Sequence, residues 1–252
     1  KIPTAKFKSF SNFSEAKKYI KHEKFPLVIK ADGLALGKGV SIIKNLKDGI
    51  QALEDIMESK VFGSAGNTVV IEEFLTGKEI SIHAFCDGKT FSIFPTSKDH
   101  KRAFDGNKGP NTGGMGTITP VPGIESEILK EIEKKIILPV LRGLRKRGSP
   151  FSGVLYPGIM LTDSGPKVIE FNARFGDPET QSYMRILKTD LSDILMVCAT
   201  GNLKKTKIKW YSESACCVVL ASGGYPGIYK NGEIIKGIKK SEKIKNIVVF
   251  HA

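Results

Sequence analysis

Nowhere in its 252 residues does the chain hold an apolar run approaching the roughly 20 residues of a membrane span, so no membrane-embedded role is expected. It shows no secretory leader and starts at Lys1 without a methionine, which reads as an excised piece of a longer, cytoplasmic polypeptide. Cysteine is scarce: Cys86, Cys198, Cys216 and Cys217 form no C-x-x-C pair and have no histidine at zinc spacing, which points to a reduced protein without structural zinc. Arginine is scarce too, with 6 against 33 lysines. The net charge of +13 invites a nucleic-acid partner, but more than half of it falls in residues 200–252, where ten lysines and three glutamates are scattered among turns. No aromatic platform or nucleic-acid motif accompanies them, so the expectation is no nucleic acid, with the charge left to steer small anions. Internal repeats and low-complexity tracts are absent.

What is present is a 40% apolar composition punctuated by Gly and Pro, the mark of a folded α/β-type protein of one or two domains. Ser14 is placed to cap a helix through about Glu23, which Pro26 ends. Leu27–Ala31 and Val40–Ile43 read as strands around a glycine loop, followed by a helix from about Lys47 to Ser59 and a strand through Thr68–Leu75. Glu79–Phe85 alternates as one strand, Asp87-Gly88 turns, and Thr90–Phe94 returns. The glycines between Gly106 and Gly116 are too dense for a regular element. A long helix is expected from about Glu125 to Arg147, kinked at Pro139. Strands at Ser152–Leu161 and Lys167–Asn172 precede helices at about 178–187 and 190–200, and short strands and turns follow from Lys204.

The densest chemistry lies in Glu170-Phe171-Asn172-Ala173-Arg174-Phe175-Gly176-Asp177-Pro178-Glu179-Thr180. With a strand period of two, Glu170 and Asn172 share a face, and a carboxylate beside an amide oxygen suits a hard cation whose other ligands are phosphate and water. Arg174 continues the series and is placed to neutralise phosphate. A strand end bonded to loop backbone is the plainer alternative.

Three other stretches stand out. Lys30-Ala31-Asp32-Gly33-Leu34-Ala35-Leu36-Gly37-Lys38-Gly39 is not a P-loop: its glycine spacing is short, Gly39 replaces the Ser or Thr, and a strand follows instead of a helix. It reads as a glycine hairpin able to close over phosphates, with Lys30 reaching up from an apolar strand that has little use for a cation unless an anion meets it. Glu72-Glu73-Phe74-Leu75 joins two halves of different pattern, a natural place for a nucleotide base, with Glu79 able to accept from ribose hydroxyls. Asp99-His100-Lys101-Arg102 leads into Gly109-Pro110-Asn111-Thr112-Gly113-Gly114-Met115-Gly116, where charge meets backbone able to approach a ligand closely. A solvated charged loop is the alternative, and His100 alone makes no general base.

Taken in order, these five motifs resemble the glycinamide ribonucleotide synthetase (phosphoribosylamine–glycine ligase) family of the ATP-grasp superfamily, over nearly the whole chain. The resemblance implies an α+β fold: an ATP-grasp fold of two subdomains that grasp ATP between them, with the start of a third, β-rich carboxy-terminal domain. The implied divisions are 1–73, the entry segment and smaller lid subdomain; 74–201, the larger subdomain; and 202–252, the start of the third domain. The cofactors implied are ATP and Mg²⁺ or Mn²⁺, and the substrates glycine and 5-phosphoribosylamine. By carry-over, Lys30, Gly37, Lys38, Gly39, Glu72, Glu73, Phe74, Leu75, Glu79, Arg102 and Asn111 hold the nucleotide, and Glu170 and Asn172 the metal. Asp99, His100, Thr112, Gly113, Gly114 and Glu179 line the substrate, while Arg174, Lys101 and Asp177 serve the chemistry.

Leu36, Ala173 and Pro157 depart from the family pattern without touching that chemistry. Gly158 stands where many ATP-grasp enzymes carry another metal-binding acid, so a second ligand has to come from elsewhere. The family's amino-terminal domain is missing and the carboxy-terminal one stops at Ala252, so ATP binding without turnover is an expected behaviour of this piece. Fusion of the parent to other purine-pathway activities is compatible with the sequence. Another ATP-grasp carboxylate–amine ligase or carboxylase, and a noncatalytic nucleotide-binding module, are the competing readings.

Overall fold

The computed structural model describes residues 1–35 and 39–251. The chain divides into two compact units, one of Pro3–Lys78 with Met160–Ile169, the other of Lys1–Ile2, Glu79–Ile159 and Glu170–Ala252.

In the first unit, β1 (Phe7–Phe10), β2 (Leu27–Ala31), β3 (Val40–Ile43) and β4 (Val69–Glu73) form an antiparallel sheet in the order β1-β4-β2-β3. The register sets Lys30 opposite Val70 and Val28 opposite Glu72. Two helices, α1 (Phe13–Ile20) and α2 (Leu46–Leu53), supply Ala16, Ile20 and Leu53 to a core with Leu27, Ile29, Val69 and Ile71 of the sheet. The cap of α1 is Asn12, whose side chain accepts from Glu15 N at 3.0 Å, and not the expected Ser14; the helix ends at Ile20. Asn45 caps α2 in the same way, through Asp48 N. A π turn over Glu54–Glu58 extends α2, so the expected helix to Ser59 is present with a widened end.

Continuing along the chain, β5 (Lys78–Ser81) and β6 (Ala84–Asp87) replace the single strand expected over Glu79–Phe85, and β7 (Phe91–Ile93) is the returning strand expected over Thr90–Phe94. The alternation is real, but the strand is interrupted at Ile82-His83, where Ile82 N–H donates to Pro157 O at 3.3 Å; beyond it β6 pairs with β7. Asp87 builds the turn by accepting from Lys89 and Thr90 N–H. β8 (Lys98–Asp99), β9 (Arg102–Phe104), β10 (Lys108–Asn111) and β11 (Gly116–Thr119) follow. The glycine-dense stretch was expected to be irregular, yet β9 and β10 make a hairpin. Its turn needs positive φ at Gly106 (68°) and Asn107 (57°), so glycine there shapes a hairpin instead of preventing one.

The long helix expected from Glu125 to Arg147 is split into α3 (Ser126–Ile132), a π turn over Glu133–Ile137, and α4 (Leu138–Lys146). Pro139 has no N–H for an i−4 carbonyl and its ring crowds the preceding turn; Leu138 N–H instead bonds Glu133 O, five residues back. β12 (Ser152–Thr162) and β13 (Gly165–Asn172) lie where the β-branched runs placed them, in a sheet of order β13-β12-β6-β7 with β5 on β12. α5 (Glu179–Ile186) and α6 (Leu191–Ala199) pack Tyr183, Ile186, Ile194 and Cys198 into the interior, where Phe85, Phe94 and Val154 join them. Finally β14 (Ala215–Val218) pairs with β11, which pairs with β8, and α7 (Ile238–Ser241) is a single short turn. Among the described residues, no helix is long and apolar enough to cross a membrane.

Candidate active site

In the sheet of the first unit, Lys30 Nζ stands 2.7 Å from Glu72 Oε2 and donates to Ile169 O at 3.3 Å. The lysine does meet an anion, and it is a carboxylate of the neighbouring strand. Glu73 accepts from Lys6 N–H and Lys167 Nζ, each at 3.0 Å. The backbone bond from Lys6 is the main reason its carboxyl is held below the usual range, against the opposing effect of burial, with Lys167 assisting. Phe74 and Leu75 follow β4 directly, and Phe74 is 37% exposed. Gly37 and Lys38 lie outside the described residues. Gly39 is described: its carbonyl accepts from Ala31 N–H at 2.9 Å, closing the base of the hairpin.

The second unit gathers the larger group. Lys101 Nζ donates closely to Glu79 Oε1 and lies 4.0 Å from Asp99 Oδ2. Burial acts to lower the Lys101 pKa, but the carboxylates of Glu79, Asp99 and Glu170 outweigh it and hold the ammonium protonated beyond its ordinary range. Asp99 shows the opposite balance: burial first, then repulsion from Glu179, pushes its carboxyl up to about 7 although Lys101 pulls it down. Its Oδ1 is buried and has no hydrogen-bond partner among the described residues.

Around this cation the glycine-rich arm is tied down by its own backbone. Thr112 N–H and Oγ1 both donate to Lys101 O, Gly114 N–H donates to Thr112 Oγ1, and Met115 N–H donates to His100 O. Arg102 Nη1 donates to Gly109 O across the hairpin, and Asn111 sits opposite Arg102 in register. Gly114 has φ 133°, and a Cβ there would lie 2.4 Å from Pro178 Cδ and 2.8 Å from Asp99 Oδ1, so only glycine fits. Partial desolvation, and then the charge of Lys98, lower the pKa of His100 from its ordinary value. Gly113 N–H donates to Tyr225 Oη at 3.2 Å, a partner 112 positions away that no local pattern marks.

At the end of β13, Asn172 Nδ2 lies 3.2 Å from Glu170 Oε1, so the two side chains do share a face, and Glu170 is exposed. No group of three or more His, Cys, Asp or Glu among the described residues stands ready to hold a metal by protein ligands alone. Two oxygen donors on one exposed face fit a hard divalent ion that takes its remaining ligands from phosphate and water. Gly158 is buried within β12 and offers no side-chain ligand. Arg174 is exposed and donates to Phe175 O, and Asp177 accepts from Gln181 Nε2.

Glu179 is 1% exposed, and Ser81 Oγ (2.7 Å) and Tyr156 Oη (2.6 Å) both donate to its Oε1. This is part of a buried polar group comprising Ser81, His83, Ser97, Tyr156, Glu179 and Tyr183, of which the sequence pointed only to Glu179. An interior histidine on a strand of alternating polarity was the one available signal.

Residues 1–180 match the family model described as phosphoribosylglycinamide synthetase, ATP-grasp (A) domain. A phosphoribosylamine–glycine ligase of Caldanaerobacter subterraneus is 49% identical over 251 residues, covering 100% of this chain and 60% of that protein. The bifunctional purine biosynthetic protein ADE1 of Schizosaccharomyces pombe is also 49% identical over 251 residues, covering 100% of this chain and 32% of its own length. The crystal structure of a phosphoribosylamine–glycine ligase from Thermotoga maritima superposes with a TM-score of 0.84 at 38% identity, over 91% of this chain and 57% of that one. The chain thus spans about three fifths, or less, of the length of these relatives.

Proposed function

The chain belongs to the phosphoribosylglycinamide synthetase ATP-grasp family, and from that premise we propose that the protein carrying it is an ATP-dependent carboxylate–amine ligase that joins glycine to 5-phosphoribosylamine. Its fold is α+β and ATP-grasp, as in the Thermotoga maritima ligase. The observation that carries the reading is the placement of Lys101 among Glu79, Asp99 and Glu170, a cation held ready by acids in the same unit as Arg174.

In the proposed reaction a glycine carboxylate oxygen attacks the γ-phosphorus of ATP, giving glycyl phosphate and ADP. The amine of phosphoribosylamine then attacks the acyl carbon, loses a proton, and expels phosphate to leave glycinamide ribonucleotide. The attacking carboxylate is already ionised, so the residues have to position reactants and offset charge more than remove protons. Lys30 takes phosphate, and in doing so exchanges Glu72 for a new anion. Gly37, Lys38 and Gly39 cover the phosphates, Glu72 to Leu75 with Glu79 hold adenosine, and Arg102 and Asn111 complete the nucleotide contacts. Arg174 faces the transferred phosphoryl, with Lys101 and Asp177 beside it. The arm from Asp99 and His100 through Thr112, Gly113 and Gly114, together with Glu179, shapes the substrate side. Glu170 and Asn172 would hold Mg²⁺ or Mn²⁺, which supplies charge neutralisation to the phosphates when bound.

A division of labour among 1–73, 74–201 and 202–252, a cytoplasmic setting and fusion to other purine-pathway activities, as the name of the fission-yeast relative records for that protein, belong to the same proposal. It is tested with glycine labelled by ¹⁸O in its carboxylate. One label atom per turnover should appear in the released phosphate; label retained wholly in glycine and its amide rejects the acyl-phosphate route.

A further inference from the structure

Behind Arg174 lies a chain of buried hydrogen bonds to which the proposed reaction assigns no part. His83 occupies the break between β5 and β6 with no exposed surface. Its ring stacks on Tyr156 with centroids 4.0 Å apart and meets Tyr183 edge-on at 5.0 Å. The Gly176 N–H donates to its Nε2 at 3.1 Å. An amide N–H only donates, so Nε2 carries the lone pair and the single proton of the neutral ring sits on Nδ1.

That assignment sets the direction of every bond beyond it. Nδ1–H donates to Tyr183 Oη at 3.0 Å, Tyr183 donates to Ser97 Oγ at 2.6 Å, and Ser97 donates to Ser81 O at 3.5 Å. Ser81 also donates through Oγ to Glu179, at the start of α5, so the chain is anchored on both sides of the segment it supports. Gly176 has to be glycine for a steric reason: a Cβ would lie 2.4 Å from Glu179 Oε2 and 2.8 Å from His83 Nε2. The backbone at Gly176 is therefore pressed against one acceptor, two residues after Arg174 and one before Asp177.

We propose that His83 is a positioning residue: by accepting the Gly176 N–H it fixes the backbone from which Arg174 and Asp177 project. The alternative, a ring that merely fills space against Tyr156 and Tyr183, makes a different demand. Phenylalanine satisfies packing and cannot accept, whereas glutamine can accept and packs poorly. What Arg174 does in the reaction rests on the ligase reading; the hydrogen bond and its loss do not.

The test compares His83→Phe and His83→Gln in the natural full-length polypeptide, reading kcat, KM for ATP, and amide exchange at Gly176. His83→Phe should lower kcat about tenfold or more, since a 1 Å misplacement can cost on the order of a hundredfold, with KM for ATP changed less than threefold. It should also speed Gly176 exchange at least tenfold. His83→Gln should recover most of kcat and of the protection. The reverse ranking, Phe like wild type and Gln impaired, overturns the inference in favour of packing. If the wild type has no ligase activity, the ligase reading fails, and Gly176 exchange alone decides: protection unchanged in His83→Phe overturns the inference. If His83→Phe does not fold, ¹⁵N spectra of the wild type decide, where an unprotonated Nε2 coupled to the Gly176 proton is expected and a protonated Nε2 overturns it.

Discussion

Lys30 Nζ lies 2.7 Å from Glu72 Oε2, a diagonal neighbour across the β2–β4 ladder, so the one cation of an apolar strand is neutralised within its own sheet. A nucleotide phosphate arriving at Lys30 replaces one anionic partner by another. The strand therefore carries its lysine without an unpaired buried charge when no ligand is present.

Lys30→Met should weaken ATP binding by tenfold or more, read by titration calorimetry. It also leaves Glu72 without its cation, so a modest fall in melting temperature should accompany it. Unchanged nucleotide affinity removes Lys30 from the phosphate contacts.

Glu170→Ala and Asn172→Ala each delete one oxygen donor, from an exposed and a half-buried side chain respectively. Each should raise the Mg²⁺ concentration needed for half-maximal ATP use by about tenfold, with melting temperature within roughly 2 °C of wild type, as for surface changes. Full ligase activity at low Mg²⁺ in either variant refutes the metal assignment.

Two buried groups give opposite pH dependences. Burial, with Arg174 nearby, lowers His83 from 6.5 to about 3, so below pH 6.5 the unfolded chain binds a proton that the folded one refuses, and stability falls as pH falls. Asp99 is raised from 3.8 to about 7 by burial and Glu179, so over that range the folded chain holds the extra proton and stability falls as pH rises. His83→Phe should therefore lose about 2 kcal/mol less than wild type between pH 7 and pH 5. Asp99→Asn should gain relative to wild type between pH 5 and pH 8. Denaturant melts at three pH values check both signs, and parallel curves would contradict them.

Gly176→Ala places a methyl group against Glu179 and His83 in a fully buried site. Overpacking of this kind costs about 1–3 kcal/mol, and about 2–4 °C per kcal/mol is expected in a melting scan. A variant as stable as wild type would mean that the segment moves freely, against the positioning role of His83.

The strands bearing Lys30, Glu72 and Glu170 were legible from their apolar β-branched runs, and the order of five motifs was specific enough to name the family. Less was legible wherever geometry depends on distant partners. The single strand expected over Glu79–Phe85 is interrupted at Ile82-His83, and nothing local announces that. Glycine density argues against a regular element between Gly106 and Gly116, yet the hairpin of β9 and β10 forms there because its turn requires positive φ at Gly106 and Asn107. Asn12 caps α1 ahead of Ser14, two equally plausible oxygens that the sequence does not rank. The buried polar chain joins Ser81, His83, Ser97, Tyr156, Glu179 and Tyr183 from distant parts of the chain, and of these only Glu179 falls in a stretch that stands out in the sequence.

The ligase reading is tested most directly by ADP release from the full-length polypeptide with ATP, Mg²⁺, glycine and phosphoribosylamine together, and then with each substrate omitted. ADP formation at a sustained rate only when both are present is the predicted result. A rate indifferent to the removal of either substrate would contradict it.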